Sequence, residues 1–246
     1  MNKVECFGYQ VYSDDLSNIK LFGNKATIIN TISPNSYGIA TKDSKFKESL
    51  KGSDILVLDG VYFALGSILL KGQNIKKNQG PDVFKYFMKY YNDNNGKVFF
   101  LGSTNKVLKN IQERAYHDYP NLSIEYFSPP FKSEFCIEDN KEMIKKINSF
   151  CPNIVFVGMT CPKQEKWAYE YGKSLKTEIV CSIGAVFNWY SGDQKEIHPY
   201  WWKFRLAWLK RTMDRPEILK RYPNIGIFFF HLFLSLLGIK MYENAR

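Results

Sequence analysis

Histidine is scarce, with three among 246 residues. A metal centre of clustered imidazoles is therefore not expected, because such sites draw on several ligands at short spacing. The five cysteines, Cys6, Cys136, Cys151, Cys161 and Cys181, are odd in number, scattered, and never spaced C-x-x-C. They read as reduced thiols of a cytosolic protein, not as a disulfide framework. There is no G-x-G-x-x-G, no Walker loop, and no Ser-His-Asp or Cys-His signature. His117, His198 and His231 read as structural or surface residues. The opening M-N-K-V-E-C-F-G-Y-Q holds no apolar run of signal-peptide length. Long apolar runs are missing too. The longest, Ile225 to Ile239, has about 15 residues, short of the ~20 that a spanning helix needs. It fits either a membrane interface or a buried helix.

Acidic residues are outnumbered: 24 Asp and Glu face 34 Lys and Arg, a net charge of +10. That balance suits an anionic partner: nucleic acid, an anionic membrane surface or a phosphorylated substrate. With 45% hydrophobic residues, the chain can bury one large α/β domain, or one and a half.

Most of the chain alternates strand and helix. Residues 1 to 25 are irregular, with a small hairpin near Phe7 to Val11. Strands are expected at Ala26–Ile32, Ile55–Leu58, Val98–Leu101, Leu122–Phe127, Ile154–Val157 and Ile179–Ile183. One helix opens at Pro34 and runs toward Leu50. Residues 61 to 80 show no clear period and read as a loop with one helical turn over a cleft. Asp82 caps a helix reaching Tyr91, with Val83, Phe84, Phe87 and Tyr90 inward. Further helices carry Val107 to Ala115 and Met143 to Phe150. This alternation predicts a Rossmann-like α/β fold, a mostly parallel sheet with helices on both faces. Ligands of such sheets bind outside the C-terminal strand ends. Asp59, Gly102, Ser103, Gly158 and Gly184 fall there and share one rim.

The rim holds two features of chemical interest. Asp59, a strand-end carboxylate followed by Gly60, could act as general base on a hydroxyl. A lone D-G more often caps a turn, and its place on the rim is what raises it. In G-M-T-C-P-K-Q-E-K-W, Pro162 suits a first helical turn and Glu165 sits where the helix dipole favours a negative charge. Gln164 and Glu165 are candidates for holding a polar ligand. The Gly102–Asn105 turn either donates N–H groups to phosphate or caps a helix. Residues 190 to 222 interleave Lys195, Lys203, Arg205, Lys210, Arg211, Arg215, Lys220 and Arg221 with Tyr200, Trp201, Trp202, Phe204 and Trp208. Next to an apolar tail, this is the composition of an interfacial membrane segment. Nucleic acid is the rival, but it gives no reason for Phe228-Phe229-Phe230. A solvated basic face is the plain alternative. The division expected is an α/β domain over 1–190 and a basic aromatic helical appendage over 191–246.

Four stretches carry a family resemblance: S-D-I-L-V-L-D-G from Ser53, G-M-T-C-P-K-Q-E-K-W from Gly158, I-G-A-V-F-N-W-Y-S-G from Ile183, and L-A-W-L-K-R-T-M-D-R-P from Leu206. In their order and spacing the chain resembles the WecG/TagA/CpsF glycosyltransferases from about Ala26 to Tyr222. The resemblance implies an inverting hexosyltransferase of cell-surface polysaccharide synthesis. It would move an N-acetylmannosamine-type sugar from a UDP donor to an undecaprenyl-diphosphate-linked sugar, at the inner face of the cell membrane. It implies Asp59 as base, Thr31 on the acceptor side, Gln164 and Glu165 at the nucleotide, and Arg211 toward a diphosphate. Ser33, Asn35, Gly60, Gly102, Ser103, Gly158, Gly184 and Asn188 complete the expected substrate-binding set. No metal cofactor is demanded if Arg and helix N-termini supply positive charge, although Mg²⁺ remains compatible.

The chain also departs from the family pattern. Ser33, with Asn35 nearby, stands where the family carries Asn, and Asn188 where it carries Asp. Glu196-Ile197-His198 replaces Arg-Ala-Pro, and Ala207 replaces Glu. A non-catalytic nucleotide-sugar or lipid-binding module is the alternative these departures suggest. No nucleic acid is expected as partner, and a homo-oligomer through the apolar tail is compatible with the sequence.

Overall fold

A computed structural model of the chain describes residues 2–21, 23, 25–76, 78–194, 198–204 and 206–239, and not the side chains of Val61, Pro199, Trp202, Ala207, Trp208 and Arg211. Lys195, Glu196, Ile197 and Arg205 thus lie outside the described residues, as do the side chains of Ala207 and Arg211.

The chain begins with an antiparallel hairpin, β1 (Lys3–Cys6) and β2 (Tyr9–Tyr12), turning at Phe7-Gly8. Then come β3 (Thr27–Ile32), α1 (Pro34–Ala40), α2 (Ser44–Lys51), β4 (Ile55–Leu58), α3 (Val61–Lys71) and α4 (Gly80–Asp93). Next are β5 (Lys97–Gly102), α5 (Asn105–Asp118), β6 (Ser123–Phe127), α6 (Ile137–Phe150), β7 (Ile154–Gly158) and α7 (Lys163–Tyr171). Last are β8 (Ile179–Ser182), α8 (Gly184–Tyr190), α9 (Pro199–Lys203), α10 (Ala207–Asp214) and α11 (Tyr222–Leu236).

Six strands form one sheet in the order β4-β3-β8-β7-β5-β6, and every pairing is parallel. The Rossmann-like expectation holds. The strands are short apolar runs because both faces are covered. On one face α4, α5 and α8 pack through Phe84, Phe87, Leu108, Ile111 and Phe187. On the other, α6 and α7 pack through Met143, Ile147, Trp167 and Ala168. A third cluster caps the β4 edge: Phe7 and Tyr9 of the hairpin turn and strand, Tyr37, Phe46, Phe63, and Phe228 of α11.

Three local expectations are corrected. The helix from Pro34 toward Leu50 is two helices, because Asp43 caps a new start by accepting the Phe46 N–H at 3.0 Å. The segment after Gly60 is not a loop with one turn but the 11-residue α3. The helix after it starts at Gly80, and Asp82 closes a capping box from inside by accepting the Gln79 N–H at 3.0 Å. On that helix Met88 and Tyr91 are buried while Tyr90 is exposed.

The apolar tail is buried on one side and exposed on the other. The side chain of Phe228 is fully buried, its ring stacked 5.3 Å from Phe63 and tilted 5.0 Å from Phe7. Gly38 on α1 lets α11 approach: a Cβ there would lie 2.6 Å from the Asn224 carbonyl carbon. Yet Phe230, Phe233, Leu236, Leu237 and Ile239 are exposed. The 15 residues of α11 span about 22 Å, less than a bilayer core. No described helix is long and apolar enough to cross a membrane.

Candidate active site

In an all-parallel sheet the C-terminal strand ends line one edge. Here that edge reads, in strand order, Asp59, Thr31 to Ser33, Gly184, Gly158, then Gly102 and Ser103. Asp59 continues the ladder past β4, its N–H donating to the Ile32 carbonyl at 2.8 Å, and its residue is exposed. Gly60 takes φ +88° and turns the chain at once into α3, with open space where a Cβ would stand. A carboxylate is thus held at a fixed strand end beside unobstructed backbone. Thr31, half-buried on the neighbouring strand, lies in register with Val57, two residues before Asp59. Ser33 caps α1 by accepting the Ser36 N–H at 3.2 Å. Asn35 accepts the Asn224 amide at 3.2 Å, which links the β3–α1 turn to α11.

At the centre of the edge, glycine is required by contact. A Cβ on Gly102, which takes φ +111°, would lie 2.6 Å from the Gly158 carbonyl oxygen. A Cβ on Gly184 would lie 2.5 Å from Gln164 Oε1. Ser103, at φ +57°, keeps its backbone at the rim while its carbonyl accepts the Ser128 hydroxyl at 2.8 Å. The cap of α5 falls to Thr104, which accepts the Val107 N–H at 3.3 Å. Asn188 sits half-buried on α8, and its carbonyl accepts the Gln194 N–H at 2.9 Å.

The P-K-Q-E turn is arranged differently from its sequence reading. Pro162 stands just before α7 rather than in its first turn. Gln164 is 5% exposed and Glu165 1%, so both lie beneath the rim. Gln164 Nε2 donates to Glu165 Oε1 at 2.8 Å, and Gln164 Oε1 accepts the Gly184 N–H at 3.2 Å. The two residues that the sequence offered to a ligand hold each other and the first residue of α8. Nor is Glu165 held ionised as its place in the helix suggests. A helix dipole is worth about 0.3–1 kcal/mol to a carboxylate. Burial pushes this one up to about 7 from 4.5, on the order of 3 kcal/mol against the charged form. Desolvation wins.

Sequence reasoning missed two members of this cluster. Cys161 interacts with the Glu165 carboxyl and with the Ser36 side chain, and burial pushes its thiol well above the ordinary range. Cys161 lies inside the motif, and Ser36 stands three residues after the Ser33 cap; those positions were the available signal. The basic residues of the appendage are partly neutralised. Arg215 pairs with Glu217 at 2.8 Å and donates to Gln194 at 3.1 Å. Lys210 pairs with Asp214. The backbone of Arg211 belongs to α10. Among the described residues no group of three His, Cys, Asp or Glu gathers as for a metal. A cavity of ≈ 270 Å³ between Ala26 and Glu178 opens at the opposite, N-terminal edge of the sheet, away from these groups.

Two relatives from Staphylococcus aureus, strains NCTC 8325 / PS 47 and COL, are each 26% identical over 221 residues, covering 88% of this chain and 85% of theirs. Each is named an N-acetylglucosaminyldiphosphoundecaprenol N-acetyl-beta-D-mannosaminyltransferase. The relative from strain MRSA252 has the same name and identity. The family model matches residues 4–241, beyond the four motifs at both ends, and takes in the hairpin and α11. The chain belongs to the glycosyl transferase WecG/TagA/CpsF family.

Proposed function

We propose that this enzyme transfers an N-acetylmannosamine-type sugar from a UDP donor to a sugar on undecaprenyl diphosphate, with inversion. The observation that carries the reading is the exposed carboxylate of Asp59, fixed at a strand end beside Thr31 on the rim. Asp59 takes the proton of the acceptor hydroxyl as its oxygen attacks the anomeric carbon. The bond to UDP breaks, and its electron pair leaves with the diphosphate. Rim N–H groups and basic side chains, Arg211 among them, stabilise that charge, and no metal is required. The relatives' names support the lipid-linked acceptor.

The protein works as a peripheral enzyme on the cytoplasmic face of the membrane. The support is the net charge of +10 and the apolar residues that α11 leaves exposed. Tyr62 of α3 meets Phe229 of α11 at 5.6 Å, so the exposed Leu65, Ile68 and Leu69 extend the same apolar face.

The test is UDP release from a panel of UDP-sugars, with and without a lipid-diphosphate-sugar acceptor and with EDTA present. Acceptor-dependent release is expected, and Asp59→Asn is expected to lower it about 10²–10⁴-fold while UDP still binds. Full turnover by the variant removes Asp59 as base. UDP binding without transfer to any acceptor favours the non-catalytic module, and loss of turnover in EDTA refutes the metal-free reading.

A further inference from the structure

Glu165 is buried more deeply than any other acid among the described residues. Oε1 accepts the Gln164 amide, but Oε2 has no hydrogen-bond partner of ordinary geometry. The carboxyl interacts with the Cys161 thiol, and Cys161 in turn with Ser36, whose hydroxyl lies 2.9 Å from Ser33 Oγ. A polar path therefore runs under the rim through Gly184, Gln164, Glu165, Cys161, Ser36 and Ser33. It begins at the β8–α8 turn and ends at the β3–α1 turn.

Among the described residues no cation acts directly on the carboxyl. Lys166, next in the chain, turns away to Asp43. The groups from other elements that act on the cluster, Ser36 on α1 and Arg221 just before α11, do so through Cys161.

We propose that Glu165 is a positioning residue: from beneath the rim it locks the Gln164 amide on one side and the Cys161 thiol on the other, and so fixes the two turns between which the substrates meet. The role rests on the transferase reading above. Gln164 has a single amide orientation that satisfies both of its bonds, with oxygen toward the Gly184 N–H and nitrogen toward Glu165. A Gly184 side chain would break that seat, as its clash with Gln164 Oε1 shows. On the other side the Cys161 thiol donates to the carboxyl, a contact that favours the ionised form, but burial outweighs it. An unpaired buried carboxylate is costly, which keeps the neutral form populated. The folded-state value, about 7, lies above the ordinary 4.5. Stability from this group is therefore complete below 4.5, falls as pH rises toward 7, and is gone above it. In the folded protein the proton leaves around pH 7, and the buried, half-unpartnered charge then strains the lock.

Glu165→Gln keeps the shape and the acceptor for Gln164 but cannot ionise. At pH 6.5 its KM values are expected within about twofold of wild type. Between pH 6.5 and 8.5 the wild-type KM for donor is expected to rise about fivefold, and the variant's to stay level. Gln164→Leu, which removes both bonds, is expected to raise donor KM about tenfold with kcat changed less than about threefold. A folded Glu165→Gln with no turnover at any pH overturns the proposal, since Glu165 then acts as a charge on the substrate. A KM rise that persists in the variant overturns it too. If neither protein turns over any donor and acceptor, the transferase reading fails, but the lock is still tested by melting temperature. A wild type that loses melting temperature relative to Glu165→Gln between pH 4.5 and 7 supports the lock, and parallel curves overturn it.

Discussion

Replacing Phe228 by Ala tests whether α11 is part of the folded body or a removable attachment. The ring is fully buried and touches Phe7 from the first hairpin, Tyr37 from α1 and Phe63 from α3. Truncating a buried Phe removes its transfer energy and leaves a cavity, typically about 3–5 kcal/mol. That is a large share of the ~5–15 kcal/mol that holds a domain together. For a chain of 246 residues each kcal/mol moves the melting temperature by about 2–4 °C, so a drop of roughly 6–20 °C is expected. Thermal melting followed by circular dichroism measures it, with Phe230→Ala as control. Phe230, 57% exposed and two residues on, on the opposite side of the helix, should change stability by less than about 0.5 kcal/mol. A Phe228→Ala protein that melts with wild type would show that α11 is not docked, and the third core cluster would lose its basis. The same reasoning bears on removal of residues 223–246. The truncated chain should aggregate rather than survive as a soluble domain, because it uncovers Phe7, Tyr37 and Phe63.

The apolar face shared by α3 and α11 should bind anionic vesicles. Leu65→Ser with Phe233→Ser is expected to weaken co-sedimentation with phosphatidylglycerol vesicles at least tenfold without changing the melting temperature. A wild type that ignores vesicles but elutes as a dimer would assign the face to a second copy. Gly184→Ala should cost about 1–3 kcal/mol by crowding Gln164 and should raise donor KM more than acceptor KM; equal effects on both would refute its place on the nucleotide side.

The strands were legible because each is a short apolar run closed by a Gly, Asp or Ser, and the rim followed from those endings. The helix α3 was not. Its exposed Tyr62, Leu65, Ile68 and Leu69 erase the polar face that a periodicity search needs. Gly66 in its middle reads as a breaker, yet it is there because a Cβ would lie 2.8 Å from the Phe7 ring. The Thr41–Asp43 break escaped notice because apolar residues continue on either side of it. At the site, sequence could place Gln164 and Glu165 at a strand end but could not show which way they face. Their partner, Gly184, is 20 residues away, and only the β7–β8 pairing brings it near. Burial is set by that pairing, and with it the protonation of Glu165.

The cluster that joins Phe7 to Phe228 has a consequence for how the protein is made. A ribosome releases Phe7 221 residues before Phe228 (228 − 7). Until α11 arrives, the edge formed by Phe7, Tyr37 and Phe63 has no cover, however complete the sheet already is. Completion of this edge is therefore gated by α11. The nascent chain carries a sticky flank over the whole stretch between those two residues, and the chaperone demand of that edge should end only when Phe228 emerges.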